Sequence, residues 1–341
     1  MSSSDNVFIK FDGGTASEVT NPNSETYAKV FGVSCVSDTQ CIAVGFQNSD
    51  GTMATQILSF DGAAWTLVQS PNFGSGDNSL ISVSCASSTS CVAVGYYNSG
   101  TQPYSAASQT LAMTWDGANW TTVTPPNTGS GFNRLNSVSC TSSTSCVAVG
   151  FYNSGIEEYS NDSQTLAMTW DGANWTTVNP PNAGSGDNEL NSVSCTSSTS
   201  CIAVGDYNNG ANMQTLALKW DGNSWSTISS PPGTGDNSLR AVSCVSSNVC
   251  VAVGESSLTE RDLIPLMATW DGTNWTVFAA PTPPDGGLYS YDISCSSENS
   301  CLVAGQVGWP SKNLLIELTE TAAPTTTTTA SEEPLAPSFT G

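Results

Sequence analysis

Two features recur along this chain at a near-constant spacing: a C-x5-C pair leading into an apolar run that ends in Gly, and an Asp-Gly turn flanked by aromatic residues. The stretch SCTSSTSCVAVG at 139–150 returns almost unchanged as SCTSSTSCIAVG at 194–205. Successive first cysteines lie 50, 55, 55, 49 and 51 residues apart, a period that belongs to propeller blades and similar repeat arrays. Together these observations predict an all-β fold, a six-bladed β-propeller of four-stranded blades with one disulfide inside each blade. Seven blades is the weaker alternative.

Within each unit the elements follow in one order. A short alternating segment such as NSVSC (136–140) gives the first strand, a Ser/Thr turn follows, and CVAVG gives the second. After a loop of variable length comes the third strand, QTLAMTW (109–115); DGAN (116–119) then turns the chain into the fourth, WTTV (120–123). Val, Thr and Trp dominate these runs, and turn residues bound them. Asp-Gly ahead of a strand marks a tight hairpin, since both residues tolerate turn conformations. A Pro/Gly-rich link, TPPNTGSGFN (124–133), leads to the next unit. Trp115/Trp120, Trp170/Trp175, Trp220/Trp225 and Trp270/Trp275 flank the turns, with Phe60/Trp65 a milder version. A Trp stripe could stack on sugars, but one position repeated in every unit is what packing between adjacent blades requires.

The cysteines pair as Cys35/Cys41, Cys85/Cys91, Cys140/Cys146, Cys195/Cys201, Cys244/Cys250 and Cys295/Cys301. One ends the first strand and the other starts the second, so they face each other across a short hairpin and can be joined as a disulfide. Zinc is the rival, and the absence of His together with an unusual spacing counts against it. Six matched pairs point to an oxidising compartment, hence an extracellular or cell-surface protein. Each bond closes only a short loop and is worth about 2 kcal/mol.

The two ends are incomplete in complementary ways. VFIKFDGGTASEVTNPN (7–23) aligns with the second half of a unit: Phe11-Asp12-Gly13 stands where Trp115-Asp116-Gly117 does, and Ala16 replaces the second Trp. The last unit has its cysteines and a third strand, NLLIELTE (313–320), but neither Asp-Gly turn nor fourth strand. The expected domain is 1–320, with the N-terminal segment 7–23 completing the last blade and closing the ring, followed by a Thr/Pro-rich tail at 321–341. One third-position strand is then surplus: an extra edge strand, a frayed terminus, or a strand given to a neighbouring molecule by β-augmentation. The tail cannot bury enough surface to fold alone.

The combination SVSC-x5-CVAVG with TWDGANWT resembles the tandem repeats of secreted propeller-like proteins from actinobacteria and some acid-loving microbes, over roughly residues 7–320. The resemblance implies a secreted β-propeller and carries no particular activity. WDGxxW is also similar to the Asp-box hairpin of sialidase-type propellers, with Trp or Phe in place of the initial Ser and the Asp and Gly adjacent; in that family the motif is structural.

Composition narrows the function. With 29 Asp plus Glu against 7 Lys plus Arg the net charge is -22, which offers no basic patch to nucleic acid. It also argues against anionic membrane surfaces. Ser, Thr, Asn and Gly carry the surface polarity, and a surface independent of ion pairs would suit an acidic habitat. No run of about 18 apolar residues exists, so no membrane insertion is expected, and MSSSDNVFIKFDGG shows no signal-peptide pattern.

No enzyme activity, cofactor or metal is expected. His, the commonest general base, is absent. The repeat acids Asp61, Asp116, Asp171, Asp221 and Asp271 are explained by the turns, which leaves no evident carboxylate pair for glycoside hydrolysis. Arg134, Arg240 and Arg261 occupy non-equivalent places, against a sialidase-like site. GSGDN (74–78, 184–188) and GTGDN (233–237) lack a full calcium ligand set. The loop after the second strand is longest at 96–110 and 151–165, where Tyr96, Tyr97, Tyr104, Phe151, Tyr152 and Tyr159 make a candidate contact surface for surface glycans or a protein. Sequons at Asn119, Asn161, Asn174 and Asn274 permit N-glycosylation. The leading expectation is a structural subunit of a cell-surface filament or layer, a homopolymer joined through an exchanged terminal strand or the tail. The alternative is a monomeric carbohydrate-binding or adhesion propeller.

Overall fold

The computed structural model describes residues 8–12, 15–19, 22, 27–49, 51–98, 108–129, 131–153, 162–233, 235–257, 263–279, 288–307 and 312–319. These residues are all-β, and no helix among them is long and apolar enough to cross a membrane. Six propeller blades follow one another at 28–68, 78–123, 133–177, 188–227, 236–278 and 288–319. They fall into two compact units, 1–230 with blades 1 to 4 and 231–341 with blades 5 and 6.

Blades 1 to 5 are four-stranded antiparallel sheets with the strands in chain order. The sixth has three strands of its own, Leu288–Ser297, Ser300–Val307 and Lys312–Thr319. A hairpin of Phe8–Asp12 and Thr15–Val19 forms a separate two-stranded sheet. It sets Phe11 opposite Ala16 as blade 2 sets Trp115 opposite Trp120, the register of a blade's third and fourth strands.

Blade 3 illustrates how the sequence makes a blade. Its strands are Asn133–Ser142, Ser145–Tyr152, Gln164–Trp170 and Trp175–Thr177. The first strand is longer than NSVSC because Asn133, Arg134 and Leu135 still pair with Tyr152, Phe151 and Gly150. Successive side chains point to opposite faces, so CVAVG serves two neighbours. Cys146 and Ala148, with Leu166, Met168, Trp170 and Trp175, share a core with Val92, Val94 and Ala112 of blade 2. Val147 and Val149 turn the other way, onto Leu190, Val193 and Leu216 of blade 4. In the second unit Val251, Val253 and Met267 meet Ile293, Val303 and Ile316 in the same fashion. Within each unit the interior is therefore a series of layers between blades, and the Trp pairs of blades 2, 3 and 4 belong to it.

All six disulfides form as expected, and no cysteine is free: Cys35–Cys41, Cys85–Cys91, Cys140–Cys146, Cys195–Cys201, Cys244–Cys250 and Cys295–Cys301. Cys140 lies directly opposite Cys146, with Cα atoms 4.0 Å apart. The second cysteine of each bridge has a further role beyond the expected clasp. Cys91, Cys146, Cys201, Cys250 and Cys301 are buried, and only Cys41 of blade 1 is half-buried. The cause is alternation, which turns the cysteine at the second residue of the second strand inward, next to the residue that ends or nearly ends the third. Cys201 pairs with Trp220 and Cys250 with Trp270, while in blade 6 Cys301 pairs with Leu318. Cys201 packs with Leu218 and Trp225, and Cys301 with Ile293 and Ile316. These sulfurs are core atoms as well as bridge atoms.

Within each unit the serine before the first cysteine ties one blade to the next. The Oγ atoms of Ser34, Ser84 and Ser139 accept the N–H groups of Cys85, Cys140 and Cys195 at 3.0, 2.9 and 3.0 Å, and Ser243 does the same for Cys295 at 3.0 Å. Within a blade the two hairpin turns interlock. The Trp170 indole N–H donates to the Ser143 carbonyl at 3.3 Å. Gly172, at φ 97°, sits against Thr144 so closely that a Cβ would come within 2.7 Å of its methyl group.

Candidate ligand-binding site

At the end of each blade remote from these turns, the chain enters the first strand and leaves the second. A repeated frame holds this end. Asn78, Asn133 and Asn188 are buried, and each side chain closes the link before its strand. Asn133 Oδ1 accepts the Thr128 N–H at 2.8 Å while its Nδ2 donates to the Gly131 carbonyl at 2.9 Å. The carbonyls of Tyr27, Asp77, Phe132 and Asp187, one residue earlier, accept the N–H groups of Asn48, Asn98, Asn153 and Asn208, all at 2.7 Å. Those four positions are therefore equivalent, and so are Lys29, Ser79, Arg134 and Glu189 two residues on. The residues opposite them are Phe46, Tyr96, Phe151 and Asp206.

Against this fixed frame the side chains differ. In blades 2 and 4 the first position is Asp and has a structural task. Asp77 Oδ1 accepts the Met53 N–H at 2.8 Å, and Asp187 Oδ1 accepts the Ser163 N–H and hydroxyl, both at 3.0 Å. The GSGDN carboxylates thus cap the third strand of the preceding blade. Among the described residues no group of three His, Cys, Asp or Glu could hold a metal ion.

Blade 3 gives up that cap. GSGDN becomes GSGFN, and Phe132 stacks on Phe151 with ring centroids 5.6 Å apart and planes 18° from parallel. Tyr96 of blade 2 lies 6.4 Å from Phe132, and the Arg134 guanidinium sits over the Tyr96 ring at 5.3 Å. Arg134 Nε is buried with no hydrogen-bond acceptor. Blade 1 repeats the combination with different residues: Tyr27, Lys29 and Phe46 occupy the same three positions, Tyr27 and Phe46 being 6.0 Å apart and Lys29 Nζ 5.8 Å from the Tyr27 centroid. Blade 4 is the opposite, with Asp187, Glu189 and Asp206 there. Aromatic faces beside a cation suit binding through stacking and charge.

The residues picked from sequence separate by position. Tyr96 and Phe151 belong to the cluster. Tyr97 points into the blade, 5% exposed, against Phe73 at 4.5 Å and hydrogen-bonded to Gln109; burial holds its phenol above the usual pKa. Tyr152 packs on the core between blades 2 and 3. Tyr104, Tyr159 and Asn161 lie outside the described residues. Asn119, Asn174 and Asn274 are exposed in their turns, where the backbone N–H of each is bonded to the turn Asp at 2.7 Å. Arg240 is paired with Glu255 at 2.5 Å, and Arg261 lies outside the described residues. The disulfides sit at the opposite end of each blade from the aromatic cluster, and the buried Cys91, Cys146, Cys201, Cys250 and Cys301 offer nothing to a ligand. Sequence reading misses Phe132 and Arg134 as contact residues, although comparing GSGFNR with GSGDNS and GSGDNE exposes both substitutions.

No protein-family model and no curated protein matches the sequence. Solved structures do match. One described as YCF48 bound to D1 peptide is 14% identical with TM-score 0.51, covering 88% of this chain and 82% of that one. YCF48 from Cyanidioschyzon merolae is 14% identical with TM-score 0.52, covering 89% and 85%. At this identity the similarity is one of fold.

Proposed function

We propose that this chain is an extracellular recognition propeller without catalytic activity, binding a partner through the cluster of Tyr96, Phe132, Arg134 and Phe151. One observation carries this: the repeat sacrifices a framework carboxylate at Phe132 to stack an aromatic ring on Phe151 beside an arginine. Departures from a local rule that cost structure are where function is to be sought. Disulfides in every blade fit an oxidising exterior. One of the similar structures is described as bound to a peptide, which brings peptides in beside surface glycans as ligands to screen.

The test is to probe glycan and peptide arrays with the oxidised chain and with Phe132→Asp, which restores the residue of blades 2 and 4. Binding should disappear while stability is kept or rises. Binding that survives Phe132→Asp and Phe151→Ala would sink the assignment.

A second function, a subunit of a surface filament, is favoured by a separate observation. The eight-residue strand Lys312–Thr319 pairs on one side only among the described residues, while the third strand of every other blade is covered by a fourth. A strand from another copy could add to that edge. Negative-stain microscopy decides: fibres whose growth stops on deleting residues 1–10 and 321–341 support exchange, and isolated discs exclude it.

A further inference from the structure

We propose that the site binds a carboxylate, held by Arg134 beside an apolar or ring-shaped group lying on Phe132 and Phe151. This rests on the recognition function above and gives its ligand a chemistry. Among the described residues the Arg134 side chain has no ion pair and no hydrogen bond, although the chain holds 29 acidic residues, and its Nε is buried without an acceptor. The guanidinium carbon lies over the Tyr96 ring at 5.3 Å, a contact that takes none of its N–H groups. The guanidinium fork matches a carboxylate bidentately.

The cation is no requirement of the frame, since Ser79 and Glu189 fill the equivalent position in blades 2 and 4. Yet blade 1 places Lys29 there, opposite Phe46 and over Tyr27, so the combination of cation and two aromatic rings is built twice. It uses two of only seven basic residues in the chain. A net charge of -22 repels polyanions. One carboxylate on an otherwise neutral body is therefore a better match than an anionic polymer.

The experiment is an NMR titration of the oxidised full chain with two matched pairs of probes: N-acetyl-phenylalanine against its amide, and glucuronate against glucose. In at least one pair the acid should bind about tenfold tighter than its neutral partner, the scale of a charge-assisted hydrogen bond. The first pair reports a peptide chain end, the second a sugar acid. Arg134→Met should abolish the preference and leave neutral binding, with Arg134→Lys intermediate. Equal binding of acid and neutral probe in both pairs, no binding of any probe, or a preference that survives Arg134→Met and Lys29→Met together would overturn the proposal. If neutral probes bind and Phe132→Asp removes them, recognition stands and only the carboxylate falls. If acids bind regardless of Phe132→Asp, the aromatic platform falls instead.

Discussion

A Cβ on Gly150 would lie 2.0 Å from the carbonyl oxygen of Arg134. Gly150 faces Leu135, where the first strand of blade 3 bulges between Leu135 and Ser137 and pushes its backbone toward the partner strand. Gly95, Gly205 and Gly254 meet the same carbonyl position at 2.0 Å. The Gly that ends CVAVG is thus demanded by the bulge, and the bulge sets the entry of Arg134 into the site. Gly150→Ala should destabilise the protein by about 3 kcal/mol, the upper range for overpacking. The check is the denaturant midpoint of the oxidised protein; an unchanged midpoint would refute the close approach.

Ser139→Ala removes the acceptor for the Cys195 N–H, a 3.0 Å bond between blades 3 and 4. A donor left unpaired in a part-buried layer costs roughly 1–3 kcal/mol. Hydrogen exchange should show faster exchange at the Cys195 amide than in the parent, with little change at Cys140, whose acceptor is Ser84. Uniform acceleration at both amides would point to global weakening instead.

The repeat was legible in the sequence because each blade spends the same residues on the same physical needs. Cysteines set opposite each other, Val alternating between two neighbours and Asp-Gly at a turn are local patterns with one reading each. The serine ties were not legible: Ser in SVSC looks like any polar strand residue until the next blade's amide is seen beside it. Nor was the second role of Cys201, Cys250 and Cys301, since a spacing of six names the bridge but not the face on which its sulfur lands. The site was half legible. Tyr96 and Phe151 stood out as aromatics near long loops, but Tyr97 and Tyr152 stood out equally, and alternation buries Tyr97 in the blade and packs Tyr152 on the core. Phe132 and Arg134 sit in a link that reads as Gly-rich spacer, and only their equivalence to Asp77 and Ser79 shows that something was exchanged.

The six disulfides should not be equally reducible. Cys146 is 2% exposed within the core between blades 2 and 3. Cys35, on the first blade of its unit, is exposed. Limited dithiothreitol followed by alkylation and mass spectrometry should label Cys35 and Cys41 before Cys140 and Cys146. Replacing Cys140 and Cys146 by Ala should cost about 2 kcal/mol from loop closure, plus the packing that the two sulfurs supply to the core. Labelling of the buried pair first would contradict the exposure order.

Acid should weaken the fold through its turns. In Asp61, Asp116, Asp171, Asp221 and Asp271 the carboxylate is held below its usual pKa, first by the N–H three residues on and then by the N–H two residues on. Asp116 Oδ1, for example, accepts from Asn119 at 2.7 Å and Ala118 at 2.8 Å. A folded pKa below the unfolded value of about 3.9 means the ionised form is favoured by folding. The contribution is complete above that value and is lost as pH falls through the folded one. The thermal midpoint should therefore be nearly level from neutral pH to about 5 and drop below about 4 as these groups protonate. Asn at 116 and 171 keeps an oxygen acceptor for the same N–H groups but cannot titrate, so Asp116→Asn with Asp171→Asn should flatten the acid limb. The double variant leaves the Asp77 and Asp187 caps and the Arg240–Glu255 pair in place, so a flattened limb assigns the slope to the turns, and an identical limb would assign it elsewhere.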